Sequence, residues 1–575
     1  MKYIKNIALL LVVVLTVISL TSDNVMAGGE KTGFLVIAPD RGYQGNEETL
    51  EVTTAFEKTH LARLVFVTLQ EDYAPQVQTK LLTAVKEMKA AGAHDVVLLP
   101  LLLSPEDPYL KRVKALMGLG APKGSATGSS PDLPIRVAPT MGDDLLIAQV
   151  LEDTAGELSQ DPSKERLVIV GWGATNQEEA QAIEKTLLGL AERVKAGLPF
   201  AETHAIVFYQ GQTVVSEELS KKANQEAKEA LQQWARDQRL KTLVVPFGPG
   251  WKHTGSMQFK RSIANMIKEL QVAFNGKEAL PHPNFLRWLN KTAAGYLPPQ
   301  KSDLGIVLMP HGSGAYHNEP ILQAIAPLRA KYPIEVAWGM ADVETLQAAI
   351  GRLEAAGARR ILVLRVYDQS LSLKEDTEYV LGISHHHGDM GRMQQVRSGA
   401  ILTTSGGWDA DPLMAQVLLE RTIEVSQSPE KETVILLAHG AGSDEKDIFW
   451  LKQMQAQADY IQTHAPKRFK EVKAATLRED WPEKRKDAVE KIRQMVTEAG
   501  KDGGRALVIS NRIAGPGPYR KYLTGLEYVF NGAGIAPHPN LTKWLDRKIH
   551  QWMEEVLHTG RPLADAGAGS KLGTN

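Results

Sequence analysis

Apolar runs that end in glycine-containing turns recur four times along the chain. The runs are GFLVIAPDRG from Gly33, RLVIVGWGAT from Arg166, GIVLMPHGSG from Gly305 and TVILLAHGAG from Thr433. Each is apolar without alternation, which is typical of a strand covered on both faces. Their spacing is roughly 130 residues, a domain-sized period rather than that of a solenoid. The pattern therefore predicts four units of similar fold.

Strand patterns alternate with helix patterns inside each unit. HDVVLLPLLL from His94 and RRILVLRV from Arg359 predict further buried strands, and VQTKLLTAVKEMKAAGA from Val77 predicts a helix between strands. This alternation predicts an α/β fold in which each unit is a small parallel sheet flanked by helices. In such sheets the functional crevice lies at the carboxyl ends of the strands, where all four glycine turns are placed.

Shared segments arrange the four units as two tandem pairs. Units one and three share DLLIAQVLEDT and DPLMAQVLLER, and units two and four share FNGKEALPHPNFLRWL and FNGAGIAPHPNLTKWL. An ancestral pair was therefore duplicated. The predicted units are 28–160, 161–299, 300–430 and 431–558, and the Gly- and Ala-rich tail 559–575 is predicted to be disordered.

The N-terminus has the layout of a secretory signal peptide. Lys2 and Lys5 precede an apolar stretch from Ile7 to Leu20, and small residues precede a cleavage point after Ala27. An uncleaved anchor helix is the alternative, although the apolar stretch is short for a membrane span. We expect residues 1–27 to be removed and the mature protein to be exported, in a bacterium to the periplasm.

Composition limits the classes of partner and the kinds of metal site that the chain could have. The formal net charge is -1, so no strong field points to nucleic acid or an anionic membrane surface. The chain has no cysteine, which excludes disulfides and thiolate metal sites. A transition-metal site would have to use other ligands, such as His, Asp, Glu or Met.

Two histidines occupy equivalent predicted strand ends. His311 follows the strand of unit three and His439 follows that of unit four, while the sequence alignment places Asp40 and Trp172 at the same point of units one and two. A helix is predicted at Asn318–Glu319, after the His311 turn. Spacing alone leaves open whether these imidazoles are ligands or only polar turn residues.

Other histidines carry weaker signals. His253 lies in a Gly/Pro loop after a buried strand, where unit four has Arg520. His282 and His538 stand in Pro-His-Pro-Asn, where we predict structural roles, with the Asn capping a helix that begins at Phe285 or Leu541. The cluster His385–His387 is either a surface metal-binding loop or a loop without a role. His317 could enter the same crevice as His311.

These motifs resemble those of the ATP-independent (class II) tetrapyrrole metal chelatases, of the sirohydrochlorin cobaltochelatase and ferrochelatase type. The matching elements are the strand-end His-Gly at His311 and His439, the later Gly-rich loop with His253, and the His-Pro step at His282 and His538. The resemblance covers nearly the whole mature chain as four family-like units. It departs from the family in that no single unit holds both family histidines.

The resemblance implies insertion of a divalent metal, Co²⁺ or Fe²⁺, into a sirohydrochlorin-like tetrapyrrole, as in cobalamin or siroheme biosynthesis. It implies metal ligands and proton acceptors at His311 and His439, further ligands at His253 and Glu375, and substrate contacts at Ser313, Ser443 and Arg520. The expected partners are the tetrapyrrole and the metal, both as substrates, with no nucleotide, no nucleic acid and a monomer or homodimer. The alternative is a non-catalytic exported protein that binds metal or tetrapyrrole.

Overall fold

The computed structural model describes residues 31–119, 131–142, 144–195, 197–209, 215–248, 263–264, 267–276, 279–391 and 393–559. The predicted signal peptide, the tail beyond Thr559 and His253 lie outside these residues. Within the described part of the chain, no helix has the length and apolar character needed to cross a membrane.

The described strands form four sheets of four parallel strands each. In each sheet the first strand of the unit lies between the second and third, and the fourth strand lies outside the third. This confirms the predicted α/β class with one small parallel sheet per unit.

Unit one contains strands β1 to β4 and helices α1 to α4. In chain order they are β1 (Lys31–Pro39), α1 (Gly42–Glu57), β2 (Ala62–Val67), α2 (Ala74–Ala90), β3 (Ala93–Pro100), α3 (Pro108–Leu116), β4 (Ile135–Val137) and α4 (Leu145–Gly156). Unit two follows with β5 (Glu165–Ala174), α5 (Gln177–Val194), β6 (Glu202–Tyr209), α6 (Glu217–Arg236), β7 (Lys241–Pro246), β8 (Val272–Ala273) and α7 (Pro283–Tyr296).

Units three and four repeat this order. Unit three contains β9 (Leu304–Pro310), α8 (Ala315–Ile325), β10 (Ile334–Val336), α9 (Val343–Ala355), β11 (Arg360–Val366), α10 (Lys374–Val380), β12 (Ile401–Gly406) and α11 (Pro412–Ile423). Unit four contains β13 (Glu432–Ala438), α12 (Asp444–His464), β14 (Glu471–Thr476), α13 (Pro482–Ala499), β15 (Arg505–Ser510), α14 (Tyr519–Tyr522), β16 (Val529–Asn531) and α15 (Pro539–Thr559).

Shared cores join the units in pairs. One apolar cluster extends from Phe34 in β1 to Ala293 in α7, and a second extends from Leu304 in β9 to Val556 in α15. Each of these two clusters takes buried side chains from two consecutive units, and each unit has a further apolar cluster of its own. The pairing confirms the tandem arrangement, and we call units one and two the first half and units three and four the second half.

Polar contacts fix the two halves against each other. Gln149 Nε2 donates to the Gln395 carbonyl at 3.1 Å, and Arg397 Nη2 contacts Asp153 Oδ1 at 2.6 Å. Arg360, which is buried, donates to the carbonyl of Leu297 at 2.8 Å. The contact therefore joins unit three to α4 and α7 of the first half.

Two predicted helix starts are wrong. The last helices of the two halves begin at Pro283 and Pro539, earlier than Phe285 and Leu541. A histidine caps each one, since the Asn284 N–H donates to His282 Nδ1 at 3.1 Å and the Asn540 N–H donates to His538 Nδ1 at 3.1 Å.

The asparagines have another role than capping. Asn284 Nδ2 donates to the Leu146 carbonyl at 2.8 Å, and Asn540 Nδ2 donates to the Leu413 carbonyl at 3.2 Å. Both side chains are thereby buried against the preceding unit. The helix predicted at Asn318 likewise begins earlier, at Ala315, because the turn after β9 is only four residues long.

Candidate functional site

His311 lies in the turn between β9 and α8. The turn is tight, since a Cβ on Gly312 would lie 2.9 Å from Trp338 Cβ, and only glycine allows this approach. His311 is exposed, and its ring centre lies 6.3 Å from that of His317. The sequence expectation that the His311 imidazole projects at a strand end therefore agrees with its position in the fold.

His439 occupies the corresponding turn after β13 and is partly buried. Its Nδ1 lies 2.8 Å from the Gly440 carbonyl, and its Nε2 lies 3.1 Å from Asp480 Oδ2. Its ring stacks on Trp450 at 6.3 Å and meets the edge of Trp481 at 6.0 Å. Aromatic contacts on two sides hold the imidazole in one orientation.

The loops at the strand ends of units three and four contact each other, since Lys446 Nζ donates to Asp389 Oδ2 at 2.6 Å and Gln457 Nε2 donates to the Asp409 carbonyl at 2.7 Å, and we call the space between these strand ends the cleft. The pKa of His311 is lowered by partial desolvation of its ring and then by the positive charges of His317, Arg512 and His439. Physiological salt screens charges over about 8 Å, so charges that act on His311 belong to neighbouring groups. The second half therefore brings together the strand ends that carry His311 and His439.

Asp368 supplies a carboxyl group to the same cleft. It follows β11, the neighbour of β9, in which Val366 pairs with Pro310. Withdrawal of the carboxyl from water raises the pKa of Asp368 to about 7, against the opposing influence of His439 and Arg512. A group with this pKa can exchange a proton near neutral pH.

Arg512 also lies at a strand end, two residues after β15. Its Nη1 contacts Glu479 Oε1, and Glu479 lies in the loop after β14. Tyr519 lies beside this pair, and burial raises the pKa of the Tyr519 phenol. The sequence predictions missed Asp368 and Arg512, although extending the strand-end rule from β9 and β13 to β11 and β15 would have found both.

Several exposed large apolar side chains lie in loops and helix starts of the second half. We call them the apolar rim: Tyr316, Met340, Leu371, Met390, Ile448 and Trp481. They lie in helix starts and loops near the strand carboxyl ends, and Tyr316 is 95% exposed. Exposed apolar groups collected around a cleft are typical of a ligand or partner site.

The other predicted site residues have different contacts. Glu375 lies 3.8 Å from Lys446 Nζ, whereas the carboxylates near His439 belong to Asp480 and Asp368. Ser443 caps α12, where its hydroxyl accepts from the Lys446 N–H at 3.1 Å. Arg520 is exposed, and its guanidinium lies 5.2 Å from the Phe530 ring centre.

Ser313 and the cluster His385–His387 make contacts other than the predicted ones. The Ser313 N–H donates to Asn318 Oδ1 at 2.9 Å, which closes the turn before α8. His385 lies 3.2 Å from Arg193 of unit two, and His386 and His387 are exposed. Across the residues that the structure describes, no group of three or more His, Asp or Glu side chains is arranged to hold a metal ion.

The equivalence of Asp40 and His311 is wrong by one residue. Phe34 pairs with Ala62 in unit one as Ile306 pairs with Ile334 in unit three. The two units are therefore aligned with Pro39, not Asp40, at the position of His311. The equivalence of Trp172 and His439 agrees with the register of their sheets.

The first half has a different arrangement at its strand ends. The Arg41 guanidinium lies 4.6 Å from the Trp172 ring centre and 5.4 Å from that of Tyr109. These contacts join β1 of unit one to β5 of unit two across the place where the second half has His311 and His439. At this point the first half therefore has a guanidinium in contact with two aromatic rings, and no histidine.

No family model matches the chain. The sirohydrochlorin cobaltochelatase of Methanothermobacter thermautotrophicus is 26% identical over 133 residues, which cover 21% of this chain and 92% of that protein.

Two solved structures are also similar to parts of the chain. A multi-domain protein of Deinococcus radiodurans with structural similarity to chelatases is 17% identical, with a TM-score of 0.29, and the match covers 43% of this chain and 54% of that one. SirB from Bacillus subtilis, solved with Fe³⁺, is 15% identical, with a TM-score of 0.34, and the match covers 46% of this chain and 97% of that one. With its four parallel sheets in two pairs, the chain resembles the class II tetrapyrrole metal chelatases in a duplicated, four-unit form.

Proposed function

We propose that the protein inserts a divalent metal, Co²⁺ or Fe²⁺, into a sirohydrochlorin-like tetrapyrrole in the cleft of the second half. The observation that supports this most is the approach of His311 and His439, one from each unit, beside Asp368. The family resemblance supplies the substrate class.

The charge states of the cleft suit metal insertion. The lowered pKa of His311 keeps its imidazole neutral at neutral pH, so that a ring nitrogen is free to bind a divalent ion. As the ion enters the macrocycle, two pyrrole N–H protons must leave. Asp368, with a pKa of about 7, and an imidazole of the pair would accept them.

The surroundings of the cleft suit the macrocycle. The apolar rim offers Trp481 and Tyr316 as surfaces for a flat ring system. The acidic side chains of the tetrapyrrole would meet Arg512 within the cleft and Arg520 further out, since guanidinium groups bind carboxylates in a bidentate manner.

Export is part of the proposal and is supported by the charged and apolar layout of residues 1–27. Fractionation of cells that express the full chain, with the N-terminus of the product sequenced, tests it. We expect a mature N-terminus at Gly28 in the exported fraction. Uncleaved product in the cytoplasm would contradict export without affecting the proposed chemistry.

The direct assay mixes the purified protein with sirohydrochlorin and Co²⁺ or Fe²⁺ and follows the absorption change of the macrocycle. We expect insertion faster than the non-enzymatic rate, and slower in His311→Ala and His439→Ala. A rate equal to the background for every divalent ion would contradict catalysis.

The second candidate is a protein that binds metal or tetrapyrrole without turnover. It is favoured by the absence, within the described residues, of any group of three ligand side chains and by the contact of His439 Nε2 with Asp480 Oδ2 at 3.1 Å. Calorimetry separates the two functions. Tight binding that His311→Ala abolishes, without any insertion, would identify the binding protein.

A further inference from the structure

A chain of hydrogen bonds joins the two units of the second half below the cleft. The Asp409 N–H donates to the Asp368 carbonyl at 2.9 Å, and Gln457 Nε2 donates to the Asp409 carbonyl at 2.7 Å. Asn511 Nδ2 then donates to Gln457 Oε1 at 2.8 Å. Gln457 is 2% exposed and Asn511 is 1% exposed, so both amides are shielded from water.

Each end of this chain leads to a residue of the cleft. Asp368 and Asp409 follow β11 and β12 in unit three, whereas Gln457 lies in α12 of unit four. Asn511 follows β15 and directly precedes Arg512. Gln457 therefore links the strand ends of unit three to those of unit four through its buried amide.

In the first half, the positions that correspond to Asp368, Asp409, Gln457 and Asn511 have no polar side chains. The Gly142 N–H donates to the Leu103 carbonyl at 3.0 Å, as Asp409 does to Asp368. The Phe247 N–H donates to the Val170 carbonyl at 2.9 Å, as Asn511 does to Leu437 at 2.8 Å. Phe247 is thus the counterpart of Asn511.

Leu190 is the counterpart of Gln457, because both lie at the same distance in sequence from their helix N-caps, Asn176 and Ser443. Leu190 and Phe247 are buried in the apolar core of the first half. The fold thus forms with an apolar pair at these positions, so stability alone does not explain the amides of the second half.

Buried amides that bond to each other differ from an apolar pair in one physical respect. Hydrogen bonds are directional, while apolar contacts tolerate sliding, so buried polar partners can fix one relative position of two elements. We propose that Gln457 is a positioning residue, which holds the Asp368 side of the cleft at a fixed distance from the His439 and Arg512 side. Its effect on turnover rests on the proposed function, whereas its effect on geometry does not.

Dipolar EPR tests the geometry in the full-length chain. Because the chain has no cysteine, Leu371→Cys and Ile448→Cys provide two label sites and no others. Both side chains are exposed. Leu371 reports on the Asp409 side, because it follows Ser370, whose N–H donates to Asp409 Oδ1 at 2.8 Å. Ile448 reports on unit four, because it lies on the same helix as Gln457. We expect Gln457→Leu to shift or broaden the distribution of distances between the labels.

Gln462→Leu is the matched control. Gln462 lies on the same helix, but its Nε2 donates to the Phe469 carbonyl at 3.0 Å within unit four. This variant should leave the label distances unchanged. If Gln457→Leu does not fold, Gln457→Glu keeps the size and the acceptor for Asn511 but, as a carboxylate, loses the donor to Asp409, and the same broadening is expected.

Insertion kinetics of the unlabelled variants give the second readout. A loss of alignment in the cleft should lower kcat of Gln457→Leu by about tenfold or more, with a smaller change in KM. A label distribution equal to that of the unsubstituted chain in both the Leu and Glu variants would overturn the inference. An altered distribution in a protein without any insertion activity would support the positioning role and contradict the proposed function alone.

Discussion

The two halves of the molecule share a fold but differ at their strand ends. In the first half, Arg41 lies between the rings of Trp172 and Tyr109 and occupies the point where units one and two meet. In the second half, the corresponding point presents His311 and His439. The comparison teaches that the paired fold does not require histidine at these turns, so their presence in one half calls for a chemical explanation.

The largest expected effect is a difference in insertion rate between variants of the two histidines and variants of Arg41 and Trp172 in the first half. His311→Ala and His439→Ala should each lower metal insertion by about 100-fold or more, because each would remove a proposed ligand or proton acceptor. The double variant Arg41→Ala/Trp172→Ala, in the first half, should change the rate by less than about twofold, within the usual scatter of substitutions away from the chemistry. Steady-state assays with sirohydrochlorin and Co²⁺ measure both. Equal losses in the two halves would contradict the assignment of the site to the second half.

The next largest effect concerns the pH dependence of the insertion rate. If the Asp368 carboxylate accepts a proton, the insertion rate should rise as pH passes about 7, and Asp368→Asn should remove this rise and lower the rate at pH 8 by about tenfold or more. Burial also raises the pKa of Asp107 in the first half to about 7, so Asp107→Asn is the matched control and should leave the profile unchanged.

The raised pKa of Asp368 also predicts how the free energy of unfolding changes with pH. Because the folded-state pKa of Asp368 lies above the unfolded value of 3.8, its contribution to stability is present at low pH and lost as pH rises from about 4 through 7. Asp368→Asn should therefore have a larger free energy of unfolding than the unsubstituted protein at pH 8, and the difference should shrink toward pH 4. Denaturant unfolding at the two pH values measures this, and a variant less stable at pH 8 would be the contrary result.

The capping histidines should affect stability and not chemistry. His282→Ala and His538→Ala each remove a side chain that accepts from a helix N–H, which costs about 1 kcal/mol of the free energy of unfolding. His558→Ala, at the exposed end of α15, is the control and should cost much less. Insertion rates of both capping variants should match those of the unsubstituted protein, and a large rate loss with unchanged stability would reassign them to the site.

The smallest expected effect concerns the exposed partner of His439. Asp480 is 72% exposed at its side chain, and water and salt weaken such ion pairs. Asp480→Asn should change the insertion rate by less than about threefold, consistent with a pair that contributes less than about 1 kcal/mol. A loss as large as that of His439→Ala would show that Asp480 takes part in the reaction itself.

The sequence pattern predicted the fold better than the site. Long apolar runs bounded by turns specify buried parallel strands, and the repeats at Pro-His-Pro-Asn revealed the pairing of units, so the α/β class and tandem order were confirmed. The predicted alignment of unit one with unit three is wrong by one residue. Asp40 and His311 both follow a proline, which suggested that they are equivalent, but the pairing of β1 with β2 and of β9 with β10 aligns Pro39 with His311.

Asp368 and Arg512 were missed for a different reason. Each follows a buried strand, but local sequence does not show that the ends of β11 and β15 face each other across two units. Glu375 was selected by its neighbourhood in sequence, whereas the structure pairs it with Lys446. Long-range packing, which a single sequence does not display, decides which carboxylate adjoins the histidines.

The most direct test of the central claim is the position of bound cobalt. Crystals of the protein soaked with Co²⁺ would be measured on both sides of the cobalt absorption edge, and the anomalous difference density would be calculated. The account predicts a peak in the second half, within bonding distance of His311 or His439. A peak only at His385–His387, or only between Arg41 and Trp172, would contradict it.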